Sequence, residues 1–176
     1  MLQTEPGRVS RAEVEQWLYQ PGLPETVPVP SSATLDAAKS MAAAWADEKV
    51  DAAEVPIDSW SPQATVHFIN SLPADLSQER LAELDALLGL SGTRNAEIGR
   101  TWFIQVARRR YEAAYEPLRQ YLNRYGRGRL ITPIYAALAQ NGSDLDRARE
   151  FFEQARAAYH PITEASIARA IDLDDH

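Results

Sequence analysis

A chain of 176 residues, with 45% hydrophobic and 24% charged residues and a net charge of −7, has the composition of a globular protein long enough to bury a real core. It contains no cysteine, which excludes disulfides, thiolate metal sites and cysteine nucleophiles. No apolar run approaches the roughly 20 residues that cross a membrane, and no signal-peptide core opens the chain, so a soluble, cytoplasmic protein without a membrane partner is expected.

In chain order the punctuation predicts helices. Ser10 and Glu13 form a capping box, with Val9 and Val14 at the staple positions, and the helix they open carries Trp17 and Leu18 and stops before Pro21. From Gln20 to Pro30 the prolines predict an extended strap. Ser32 or Thr34 caps a second helix on which Leu35, Ala38, Ala42 and Trp45 repeat at helical spacing. Ser61-Pro62 opens a third, with Phe68, Ile69 and Leu72 as its apolar edge. Ser77 starts a fourth, with Leu76 and Leu81 stapled, Leu84, Leu87 and Leu88 inward and Gly89 as the stop. A fifth begins near Asn95 and carries Ile98, Trp102 and Val106; Gly99 inside it costs about 1 kcal/mol relative to alanine, which predicts close approach of another backbone.

The sixth helix bears Tyr111, Tyr115, Leu118, Leu122 and Tyr125 on one face, and Gly126 follows where a left-handed cap would end it. Thr132-Pro133 is expected to open the seventh and Asn141-Gly142 to close it. Ser143 with Asp146 opens the eighth, with Phe152 and Tyr159 on its stripe, and Thr163 caps a ninth after His160-Pro161. Trp17, Trp45 and Trp102 are expected in the core and Trp60 partly exposed. The result is an all-α chain of about nine helices and no strand, arranged as stacked antiparallel pairs.

Charge is unevenly spread. Between Arg94 and Arg129 nine arginines face three glutamates, a net +6, which leaves −13 for the rest. Within that belt the connector Gly126-Arg127-Gly128-Arg129 sets two forked guanidiniums on a short turn, the geometry that holds a carboxylate or phosphate two bonds at a time. Nucleic acid is not the expected partner, because the rest of the chain is acidic and exposed aromatics do not interleave with the arginines. Catalytic patterns are missing: the three histidines, His67, His160 and His176, make no His-Glu-x-x-His pair, and no Gly-x-Ser-x-Gly elbow or phosphate-cradling loop occurs.

Four segments in order carry a family resemblance: Trp17-Leu18-Tyr19-Gln20-Pro21-Gly22-Leu23-Pro24, Asn95-Ala96-Glu97-Ile98 with Trp102, Gly126-Arg127-Gly128-Arg129 with Pro133 and Tyr135, and Tyr159-His160-Pro161-Ile162-Thr163. Together they resemble the C-terminal domain of leukotriene A-4 hydrolase and its relatives among the M1 zinc aminopeptidases, over about residues 9–172. The resemblance implies a two-layer antiparallel αα-superhelix, an armadillo-like stack, that walls the active-site cavity of a zinc-bearing catalytic domain. It implies that Arg127 recognises a substrate's terminal carboxylate, with Arg129 standing where the family has a lysine. The domains expected are a linker at 1–8, the helical domain at 9–172 and a tail at 173–176. The zinc and its ligands are expected in a catalytic domain outside this chain, which by itself should be inactive. The alternative is a stand-alone helical module that docks an acidic protein partner through the arginine belt.

Overall fold

The computed structural model describes residues 10–22 and 31–172. Val9, the linker at 1–8, the strap from 23 to 30 and the tail at 173–176 lie outside the described residues. Two compact units divide at Ser32, Met1–Ser32 and Ala33–His176.

In the first unit α1 spans Arg11–Tyr19. The capping box is formed: Glu13 N–H donates to Ser10 Oγ, and Glu13 Oε2 accepts from Ser10 N–H at 2.7 Å. Trp17 is not a core residue; it is 54% exposed, and α1 buries no side chain at all. Helix α1 is the only α-helix described in its unit.

The second unit contains α2 (Ala33–Ala46), α3 (Pro62–Asn70), α4 (Gln78–Leu88), α5 (Ala96–Arg109), α6 (Tyr115–Arg124), α7 (Gly128–Gln140), α8 (Leu145–Ala155) and α9 (Pro161–Ala170), with 3₁₀ turns in every connector except α3–α4 and α6–α7. Among the described residues there are thus nine α-helices and no strand, as the periodicity predicts. Helices α3, α5, α7 and α9 pack in succession as one layer, and α6 lies on α8 in the other. Short connectors alternate between the layers, which is the pattern of an αα-superhelix. Trp45, Phe68, Trp102, Tyr135 and Phe152 are buried between them.

Several of the single-turn signals hold. Ser61 and Ser77 cap α3 and α4, Asn95 Oδ1 accepts from Glu97 and Ile98 N–H, and Gly89 stops α4 at φ +60°. Leu87, expected inward, is 55% exposed. Leu81 and Leu84 of the same helix are buried. Before α8 a 3₁₀ turn, Gly142–Asp144, replaces the predicted Ser143 cap. Buried Asp144 makes no cap bond; its carboxylate instead accepts from Tyr115 Oη at 2.9 Å and faces Arg110 at 3.4 Å.

Gly99 answers to a side chain rather than a backbone. A Cβ there would lie 2.8 Å from Tyr121 Cε2. That ring cannot step aside easily, because its hydroxyl donates to the Ala96 carbonyl at 2.7 Å and its faces meet Phe103 and Tyr125. Gly99→Ala is therefore expected to destabilise the fold by about 1–3 kcal/mol despite alanine's better helix propensity. Urea unfolding checks this, and an unchanged or raised midpoint would refute the packing account.

Candidate functional site

The arginine belt sorts itself by what each guanidinium touches. Arg109 donates to the Pro73 carbonyl at 2.6 Å and also reaches the Gln105 side chain. Arg110 faces Asp144, and Arg119 is held by Glu116 at 2.6 Å. These three hold the fold's own surface. Among the described residues Arg94, Arg108, Arg124 and Arg127 are exposed and make no side-chain hydrogen bond or ion pair.

Arg127 sits on a connector whose geometry departs from the sequence expectation. Helix α6 ends at Arg124, Tyr125 is extended at φ −114°, and Gly126 is not left-handed. Helix α7 opens at Gly128 rather than Pro133, which lies inside it and offers no N–H to the turn before. The two glycines are required by close approach. A Cβ on Gly126 would lie 3.2 Å from the Ala158 carbonyl oxygen, and one on Gly128 would lie 3.0 Å from Thr163 Oγ1. The connector is thus pressed against the start of α9, where His160, not Thr163, is the cap and its Nδ1 accepts from Ile162 N–H at 3.2 Å. Arg127 itself takes the cap position of α7 in extended conformation (φ −80°, ψ 118°) with no side-chain cap bond. The positive end of a 13-residue helix therefore opens beside an uncompensated guanidinium.

Tyr159 is the clamp behind this turn. It falls beyond α8 instead of on its stripe, in extended conformation, and is buried. Its hydroxyl donates to the Leu122 carbonyl at 3.0 Å and lies 3.0 Å from Tyr135 Oη, so one phenol joins the end of α6 to the middle of α7. Burial pushes both phenols above their ordinary pKa, which keeps them neutral partners. Tyr159→Phe leaves two buried oxygens short of a partner and is expected to cost about 1–3 kcal/mol. Thermal melting measures that loss, and a melt indistinguishable from the native one would remove Tyr159 from the clamp.

Arg129, in the first turn of α7, is placed differently. It is half exposed and forms a direct ion pair with Glu97 at the start of α5. The other oxygen of Glu97 lies 3.5 Å from Arg100 Nε. Sequence reading singled out Glu97 only as part of a motif; its position as an acid inside the basic belt was the available signal. Glu97 also borders a groove of ≈ 460 Å³ whose wall includes Leu35, Pro62, Val66 and His67. Among the described residues no three His, Asp or Glu side chains form a group that could hold a metal ion. No described helix is long and apolar enough to cross a membrane.

Fold and connector together define an all-α, two-layer helical domain with a cationic helix mouth. The family model described as "Leukotriene A4 hydrolase, C-terminal" matches residues 60–171, and the chain belongs to that family. It is 25% identical over 171 residues to leucine aminopeptidase 2 of Pyricularia oryzae, covering 96% of this chain and 27% of that protein. Human aminopeptidase B is 27% identical over 158 residues, covering 84% and 24% respectively. The chain therefore spans about a quarter of the length of these relatives. The solved structure of leukotriene A4 hydrolase from Saccharomyces cerevisiae superposes on 90% of this chain and 29% of that one, with a TM-score of 0.70 at 22% identity, which shows a shared fold.

Proposed function

We propose that this chain serves as the helical domain of an M1-type zinc aminopeptidase, walls one side of its active-site cavity and binds the terminal carboxylate of a peptide substrate. Arg127 makes the principal contact and Arg129 the second. The zinc and the peptide chemistry belong to the catalytic domain, which is the partner this surface serves; no step of that chemistry is carried by the residues described above. One observation carries the reading: Arg127 is exposed and unpaired on a connector that Gly126, Gly128 and Tyr159 fix from behind. A cation held in place without an internal counter-ion is ready for an external one, and little side-chain or loop ordering remains to oppose binding.

The test is a pair of acetylated tripeptides, one ending in a carboxylate and one in a carboxamide, titrated against the chain and followed by arginine Nε–H resonances. The acid should move Arg127 and the amide should not. Equal responses would overturn the carboxylate role. A second reading, a module docking an acidic protein surface through the belt, rests on Arg94 and Arg124 being exposed and unpaired as well. It predicts that Arg94→Ala and Arg124→Ala weaken partner capture as much as Arg127→Ala does.

A further inference from the structure

Glu97 presents the Arg129 guanidinium with a carboxylate from within the chain. One oxygen pairs with Arg129, and the other stands 3.5 Å from Arg100 Nε, beyond a normal hydrogen bond. That Nε is buried and makes no hydrogen bond. A buried donor left unmade is costly, and the acceptor that could satisfy it is already the nearest carboxylate. Glu97 thus stands between two cations, in direct contact with the more exposed Arg129 and at the looser ion-pair distance of 3.5 Å from the partly buried Arg100. Asn95 and the first turn of α5 fix its backbone, so only its side chain needs to move.

We propose that Glu97 is a resident carboxylate that occupies Arg129 in the free protein and is handed to Arg100 when a ligand's carboxylate arrives. This deepens the carboxylate reading given above and rests on it. Of the two connector arginines, Arg129 is held by Glu97 in the free protein and Arg127 is the one without an ion pair. An incoming carboxylate meets Arg127 first and then competes with Glu97 for Arg129. The displaced Glu97 closes the gap to Arg100 Nε, satisfies the orphaned donor and so offsets part of the lost pair. Glu97 is in this sense a specificity-determining residue: a ligand without a terminal carboxylate cannot displace it, and Arg129 stays closed to that ligand.

The acid and amide tripeptides separate this inference from the reading beneath it. In the native chain the acid should shift the Nε–H resonances of Arg127, Arg129 and also Arg100, although Arg100 touches no ligand. Glu97→Gln removes the competitor, and affinity for the acid should rise about two- to five-fold, the range of a partly exposed ion pair, while the Arg100 response disappears. Affinity for the amide should not change. Should Glu97→Gln lose helicity, Glu97→Asp keeps the charge at the start of α5 but shortens the reach, and the same gain is expected. If the acid binds better than the amide but Arg100 stays silent and Glu97→Gln leaves affinity unchanged, the hand-over is wrong and the carboxylate site stands. If the acid binds no better than the amide in either protein, the site itself is refuted and the hand-over with it.

Discussion

Replacing Arg127 by alanine in an enzyme that joins this domain to its catalytic half is expected to lower kcat/KM for peptides with a free C-terminal carboxylate by roughly 10- to 150-fold, the equivalent of one charge-assisted bond of about 1.5–3 kcal/mol. Peptides ending in an amide should lose far less. The difference between the two substrates isolates the carboxylate contact from any general damage to the cavity wall. The guanidinium is suited to this role because its base is rigid: the connector is packed on Ala158 and Thr163 and clamped by Tyr159, so an arriving carboxylate need not order a loop. Arg127→Lys should fall between the native protein and the alanine variant, keeping the charge and losing the fork. Equal losses for acid and amide peptides would show that Arg127 holds the cavity wall instead of the substrate.

The largest effect on stability is expected from Trp102→Ala, about 3–5 kcal/mol, which is a large share of the roughly 5–15 kcal/mol that a domain of this kind holds in total. Trp102 is fully buried in the middle of α5, the helix that packs on both α3 and α7. Its ring meets Tyr111 edge-on at 6.2 Å, and its Nε1–H donates to Ser91 Oγ at 2.9 Å. Ser91 is in turn held by Asp85 at the end of α4, through both its hydroxyl and its N–H. Truncation would leave a cavity at the layer junction and orphan one link of this chain. Trp102→Phe keeps most of the volume and should lose appreciably less. Urea unfolding with the slope held fixed measures both, and a loss below about 1 kcal/mol for the alanine variant would place the core elsewhere.

Whether a local signal survives in the fold depends on the range of the interactions that compete with it. Ser10, Ser61, Ser77, Asn95 and Gly89 do what their types predict because a cap is satisfied within one helical turn, and nothing distant competes for those donors. The connector departs from its local signals for the opposite reason. Gly126 looks like a left-handed stop and Pro133 like a helix start, yet both glycines are there to let the 158–163 segment approach, a contact about 30 residues away in sequence. His160 displaced Thr163 as a cap because a ring nitrogen beside Pro161 reaches the free N–H first. Trp17 showed the same limit from the apolar side, since helical spacing marks a stripe without saying what, if anything, covers it.

By itself the sequence determined the all-α class, the nine helices, the family and the caps at Ser10, Ser61, Ser77 and Asn95. Helix periodicity and capping are set by near neighbours along the chain, and the family motifs are strings of adjacent residues. Only the tertiary structure decided which of the nine arginines are spent. Arg109, Arg110 and Arg119 are bound to the fold, Arg129 is held by Glu97, and Arg127 is left open. Pairing of charges across α5 and α7 depends on how two helices stack, and that geometry is written in side-chain volumes spread over the whole core, not in any local pattern.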